Sequence, residues 1–137
     1  MKKAILATFS AIGLTVILVA TTQAQTVKMA ANIPFNFNVG NVVMNSGKYT
    51  VKVVGDGVLI IQSEDSRKIA MTFSNAMTPA RNLRDKGQFS FNLYGNQYFL
   101  SSVSWPTGQS RSLPQSNTEI LAAKSQENQH RVAIATQ

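Results

Sequence analysis

The acidic residues are the first place to look for chemistry, because glycoside and related hydrolysis needs two carboxyl groups held at a fixed separation. Asp56 stands in a Gly-Asp-Gly turn, Glu64 and Asp65 stand in the next polar turn, and Asp85 lies among arginines. We expect Asp56 and the Glu64–Asp65 pair at opposite ends of one hairpin. Turn formation and surface charge explain these acids better than a shared cleft. A small hydrolase acting on envelope glycan or ester stays open as an alternative.

The other catalytic and metal-binding residue types are nearly absent. The chain has one histidine, His130, and no cysteine. His130 lies in the polar stretch QENQHR, which is a poor frame for a Ser-His-Asp arrangement. One histidine and scattered acids give no metal ligand set, and Gly55-Asp56-Gly57 lacks the spacing, lysine and following helix of a phosphate loop. The sequence therefore predicts a non-enzymatic protein with no metal and no cofactor.

The aromatic and basic residues of the stretch NLYGNQYFLSSVSWP and the segment after it are the remaining candidates. Tyr94, Tyr98 and Trp105 could present ring faces to a sugar or a base, with Arg111 nearby in the sequence. Packing is the competing interpretation, because Tyr and Trp often lie at a core boundary with the polar atom outward. We favour packing and keep these four residues as the candidate ligand site.

Short runs with a period of two dominate the rest of the chain and indicate β-strands. The first half contains one strand over Ile33–Val39, with Pro34 at its start or edge. Lys48–Val54 and Val58–Ser63 follow, joined by an Asp-Gly turn that is typical of a hairpin. The next strand, Ile69–Ser74, has Ile69, Met71 and Phe73 on one face.

The second half predicts another hairpin and a helix. QFSFNLY and QYFLSSVSW pair through Gly95-Asn96, with Tyr98, Leu100 and Ser102 on one face and Phe99, Ser101, Val103 and Trp105 on the other. Ser116 followed by Glu119 is a capping box, which predicts a helix over about 117–126. We expect Ile120, Leu121 and the stem of Lys124 to face the sheet. HRVAIATQ is either a frayed tail or a last strand.

These elements define a fold class. Short strands at this spacing, one helix and no long βαβ crossover favour an all-β domain with a short C-terminal helix. We expect an antiparallel β-sandwich or small barrel of about six to seven strands.

The N-terminus predicts export. Lys2 and Lys3, the apolar run Ala4–Ala20 and the small residues of Thr22-Gln23-Ala24 form the three parts of a cleaved signal peptide over 1–24. Removing 24 of the 137 residues leaves 113, from 25 to 137, which suits a single domain. The expected location is periplasmic or extracellular. An uncleaved membrane anchor is the alternative, because the apolar run is just long enough to span a bilayer.

The charge suggests a class of partner. The chain has 13 Lys and Arg against 6 Asp and Glu, and losing Lys2 and Lys3 leaves a net charge of +5. Such a charge favours contact with anionic envelope polysaccharide or lipid, with Arg81, Arg84 and Lys86 as the one cluster. A solubilising surface charge is the simpler interpretation, and nucleic acid is not favoured because no basic groove with interleaved rings is visible.

The chain also resembles a known group. Its YGNQYFL strand, the following Trp-Pro, the RSLPQSNTE element and the opening IPFNFNVGNVVMNSGKYTV are similar to small secreted β-rich proteins of acidobacteria-type soil bacteria. The matched residues are Tyr94, Gly95, Gln97, Tyr98, Phe99, Leu100, Trp105, Arg111, Leu113, Pro114, Ser116 and Glu119. The resemblance implies an exported β domain and carries no implication of activity. We therefore predict a binding or structural module of the periplasm or cell envelope.

Overall fold

The computed structural model describes residues 28–78, 86–126 and 129–136. In these ranges the chain is mostly β-strand with one short helix, and its two sheets curl into a half-barrel, which confirms the predicted fold class. The elements are β1 (Lys28–Ile33), β2 (Phe37–Val39), β3 (Val42–Met44), β4 (Gly47–Val54), β5 (Val58–Ser63), β6 (Ile69–Phe73), β7 (Asn75–Met77), β8 (Gln88–Tyr94), β9 (Gln97–Ser104), β10 (Ser110–Ser112), α1 (Asn117–Ser125) and β11 (Gln129–Ala135).

The first sheet, which we call sheet A, has four antiparallel strands in the order β1-β4-β5-β6. The predicted hairpin is its centre: Val54 pairs with Val58 across the turn Gly55–Gly57. Alternate residues of β4 are buried, so Tyr49 and Val51 face the core while Lys48 and Thr50 face outward. This is the division of β4 that the period of two predicts.

The second sheet, sheet B, is mixed and runs β11-β8-β9-β10-β7. The aromatic hairpin β8–β9 forms its middle, as predicted, and turns at Gly95–Asn96 between the paired residues Tyr94 and Gln97. Two strands share one edge of β9: β2 lies parallel to its first residues, and β10 lies antiparallel to its last. The C-terminal segment forms β11 and is therefore a last strand rather than a frayed tail.

The predicted strand Ile33–Val39 is wrong as a single element. β1 ends at Ile33, and β2 begins at Phe37 in the other sheet. Pro34 has no N–H for a ladder hydrogen bond and restricts the residue before it, so pairing stops there and the chain crosses between sheets. This crossing, together with several three-residue strands, makes eleven strands in the described residues instead of six or seven.

The core lies between the two sheets. Ile33, Val51, Leu59 and Ile61 come from sheet A. They meet side chains of the mixed sheet and its edge, which are Phe37, Phe89, Phe91, Leu100, Val103 and Trp105. A core built from both sheets supports a cysteine-free domain through apolar burial alone.

A β-bulge in β9 changes which of its side chains reach this core. Ser90 pairs with Ser102, but Phe91 pairs with Leu100, so Ser101 is the extra residue. An extra residue shifts the alternation by one position. Leu100 and Val103 therefore both enter the core, and the prediction that they lie on opposite faces of the strand is wrong.

Helix α1 begins where the capping box predicts. Ser116 is its N-cap and accepts a hydrogen bond from the Glu119 backbone N–H over 3.2 Å. The predicted buried face is wrong, because Ile120 is 37% exposed and Leu121 is 66% exposed. Glu119 and Ala122 are buried instead, and Ala122 contacts Tyr94 and Phe99 in a second small cluster.

Several predictions lie outside the described residues. They are the signal peptide over 1–24, Arg81 and Arg84 of the basic cluster, and Asp85. Within the parts of the chain that the structure describes, no helix has both the length and the apolarity to span a bilayer.

Candidate functional site

Tyr94 lies on the helix side of sheet B and is buried, with 3% of its surface exposed. Its hydroxyl donates to Glu119 Oε1 over 3.2 Å, and its ring packs edge-on against Phe99 with centroids 5.8 Å apart. Burial first, and then the Glu119 carboxylate, raise the pKa of Tyr94 above its ordinary value. This tyrosine joins the hairpin to the helix and offers no open ring face to a ligand.

Tyr98 lies on the opposite side of the hairpin. It pairs with Leu93, whereas Tyr94 pairs with Gln97, and adjacent pairs in an antiparallel ladder point to opposite faces. The Tyr98 ring is half-buried and stacks on Phe35, with centroids 3.8 Å apart and ring planes 13° apart. One face of this ring is therefore already occupied by the segment between β1 and β2.

Trp105 is a core residue with 4% of its surface exposed. It belongs to the main cluster between the sheets, and its indole N–H has no hydrogen-bond partner among the described residues. Such a ring cannot stack on a sugar or a base without leaving the core. Packing, the interpretation favoured from the sequence, accounts for both Tyr94 and Trp105.

Arg111 has an architectural role in the corner between the sheets. Its NH1 donates to the Ser74 carbonyl over 3.3 Å and contacts Ser74 Oγ at 3.2 Å. Ser74 joins β6 to β7, and its own N–H and hydroxyl both donate to the Gly57 carbonyl. Arg111 thus ties β10 to the point where the chain passes from one sheet to the other. The four predicted site residues do not form one surface.

The acids of the hydrolase alternative are divided as the sequence predicts. Asp56 lies in the turn before β5, and Glu64 and Asp65 lie in the turn after it. Glu64 and Asp65 line an open cleft of about 540 Å³. Hydrogen bonds from the Ser63 hydroxyl and the Arg67 N–H hold the pKa of Asp65 below its ordinary value. Asp65 is therefore a poor general acid, since hydrolysis of a glycoside needs one carboxyl that keeps its proton.

Glu119 was singled out from the sequence only as part of the capping box, but its side chain is buried. It is 4% exposed, and its Oε1 accepts hydrogen bonds from Asn92 Nδ2 over 2.9 Å and from Tyr94. The capping box accounts for the hydrogen bond from the Glu119 backbone N–H to Ser116. Nothing in the residue spacing indicates that the Glu119 side chain points toward the sheet. Among the described residues no group of three His, Cys, Asp or Glu could hold a metal ion.

The outer face of sheet A is the surface that sequence reasoning missed. The apolar face of β6 points to solvent: Ile69 is 50% exposed, Met71 66% and Phe73 78%, while the small Ala70 is buried. Period-two alternation finds such a face without showing whether it is inside or outside. A large apolar stripe on the surface of a domain marks an interaction site more often than scattered apolar residues do.

Comparison of the chain with protein-family models, with curated proteins and with solved structures finds no match. The resemblance to the acidobacterial group therefore stays a prediction. What they define is an all-β domain whose outward sheet A face carries exposed apolar side chains.

Proposed function

We propose that this chain is an exported, non-enzymatic β domain that acts as a binding module of the periplasm or cell envelope. The outer face of sheet A is its contact surface. The observation that carries this proposal is the stripe formed by Ile69, Met71 and Phe73 on β6. Exposing three large apolar side chains on one face costs solubility, so a partner that covers them gives the stripe a role.

Two further observations support a binding role over catalysis. Asp56 lies at the opposite end of β5 from Glu64 and Asp65, and the lowered pKa of Asp65 makes it a poor general acid. Arg111, Tyr94 and Trp105 are engaged in holding the fold together. The signal peptide pattern of residues 1–24 supports the exported location in this proposal.

Fractionation of the host with an antibody to the domain tests this function. We expect a protein that begins at Gln25 in the periplasmic, envelope or secreted fraction. A matched pair of variants tests the surface: replacing Met71 and Phe73 by Ser should release the protein from its partner, and replacing Ile120 and Leu121 by Ser should not. Unprocessed protein in the cytosol would refute the proposal.

A further inference from the structure

Two kinds of side chain lie in register across the outer face of sheet A. On the β6 side, Met71 pairs with Ile60. Ile60 in turn pairs with Lys52, and Lys52 pairs with Lys28 on β1. One row across four strands therefore passes from two apolar side chains to two ammonium groups.

The two adjacent rows carry no lysine among the described residues, since one runs from Ile69 through Gln62 and Thr50 to Ala30, and more distant pairs extend each half separately. Phe73 pairs with Val58, which extends the apolar half along β5 and β6. Lys48 pairs with Asn32, which extends the basic half along β4 and β1. A cleft of about 260 Å³ lies where the halves meet and is lined in part by Lys28, Lys52, Ile60 and Gln62.

One acid borders the basic half: Glu64, in the turn after β5, lines the same cleft as Lys28 and Lys52. The four strands of sheet A contain no Asp or Glu. The one ion pair within the described residues joins Arg67 to Asp65 in the turn after β5. Among the described residues Lys28, Lys48 and Lys52 therefore form no ion pair, with Glu64 or any other acid, and three ammonium groups stand beside one carboxyl group at this face.

We propose that this face binds an anionic lipid surface, a proposal that rests on the binding function proposed above. The basic half would meet phosphate head groups, and Phe73, Met71 and Ile69 would enter the boundary between head groups and acyl chains. Both halves of the face then contact the lipid at the same time. The protein would lie on the surface of the membrane and would not cross it.

The other occupants use only half of the face. A free anionic polymer would neutralise the lysines and leave Phe73 and Met71 in water. A second copy of the chain would cover the apolar half, but stacked face to face it would place ammonium groups against ammonium groups or against apolar side chains, with no acid on the four strands to neutralise them. Charge complementarity thus favours the lipid.

The test uses the natural chain, purified from the fraction in which the host keeps it, and vesicles in a sedimentation assay. We expect binding to vesicles of phosphatidylglycerol and phosphatidylcholine, and much weaker binding to phosphatidylcholine alone. Replacing Lys28 and Lys52 by Gln should weaken binding about fivefold per lysine. Replacing Met71 and Phe73 by Ser should weaken it by at least about tenfold.

Matched controls on the far side of the molecule separate the face from bulk properties. Replacing Lys124 and Arg131 by Gln removes the same charge, and replacing Ile120 and Leu121 by Ser removes a comparable exposed apolar pair. Both control variants should bind the anionic vesicles like the unmodified chain. Equal urea midpoints across the set would show that each variant is folded.

Each other outcome overturns the lipid assignment. Binding to dextran sulfate that matches vesicle binding and is unaffected by the change at Met71 and Phe73 would identify a polyanion site. A dimer that the same change abolishes, without vesicle binding, would identify a second copy as the occupant. An exported protein that binds no vesicle would refute the lipid partner and leave the proposed binding function standing.

Discussion

The Tyr94 hydroxyl donates a hydrogen bond to Glu119 Oε1 over 3.2 Å, in the buried space between the aromatic hairpin and α1. Asn92 donates to the same oxygen over 2.9 Å. A carboxylate taken out of water is tolerated when hydrogen bonds replace its hydration. These two hydrogen bonds to Glu119 therefore attach the helix to sheet B, where the apolar cluster under the helix is small.

Replacing Glu119 by Ala should destabilise the domain by about 2 kcal/mol, because the buried donors of Asn92 and Tyr94 lose their acceptor. Equilibrium unfolding in urea measures the change. Replacing the exposed neighbour Thr118 by Ala, which removes a hydrogen bond to Asn41 at the surface, should cost no more than about 0.5 kcal/mol. Equal costs for the two variants would mean that the buried cluster contributes nothing specific.

Alkaline pH should weaken the fold through Tyr94. Its pKa is raised by burial and by Glu119 in the folded state, whereas an unfolded tyrosine titrates near pH 10. The unfolded chain therefore loses its proton first, so the stability from this group is complete below pH 10 and is lost as the pH rises through the folded pKa. Urea midpoints measured over a pH series should fall above pH 10.

The Phe variants identify the responsible group. Replacing Tyr94 by Phe should lower stability at neutral pH, because the hydrogen bond to Glu119 is lost, and should make the alkaline decline shallower. Tyr49, whose pKa is raised mainly by burial, should show a similar shallower decline when replaced by Phe. A decline with the same slope in both variants and the unmodified chain would contradict the assignment.

The sequence predicted strands well because a period of two is a local property. It divided β4 correctly into Tyr49 and Val51 against Lys48 and Thr50. It could not show which face of β6 is inside, since alternation is symmetric until the partner sheet is known. Ala70 points inward in β6, so Met71 and its apolar neighbours face solvent.

The predictions of the β9 alternation and of the buried face of α1 failed for related reasons. The extra residue Ser101 is set by the pairing of β8 with β9, a non-local contact that alternation along one strand does not contain. The sequence prediction oriented the helix by its most apolar residues, Ile120 and Leu121, but the small Ala122 is the residue that packs against Tyr94 and Phe99. Contacts between elements of the assembled fold decided both cases.

Gly57 should be one of the least replaceable glycines among the described residues. Its φ is +143°, and a Cβ there would lie 2.9 Å from the Ser74 carbonyl and 2.9 Å from Arg111 NH1. Replacing Gly57 by Ala should destabilise the domain by about 3 kcal/mol, because strain and the backbone clash add together. Gly40 also has a positive φ but has open space around it, so its change to Ala should cost about 1 kcal/mol. Thermal unfolding of the two variants compares these effects, and an equal loss would mean that the corner around Ser74 yields easily.

The orientation of α1 gives a prediction opposite to the one that hydrophobicity suggests. Replacing the buried Ala122 by Leu should destabilise the domain by about 2 kcal/mol, because the added carbons meet Tyr94 and Phe99 in filled space. Replacing the larger Leu121 by Ala should change the free energy of unfolding by no more than about 0.5 kcal/mol, because that side chain is 66% exposed and Ala preserves helix propensity. Urea unfolding of both variants decides between the two orientations. A large loss for Leu121 with none for Ala122 would mean that the helix turns its apolar residues to the sheet, and Glu119 would then lose its buried place beside Asn92.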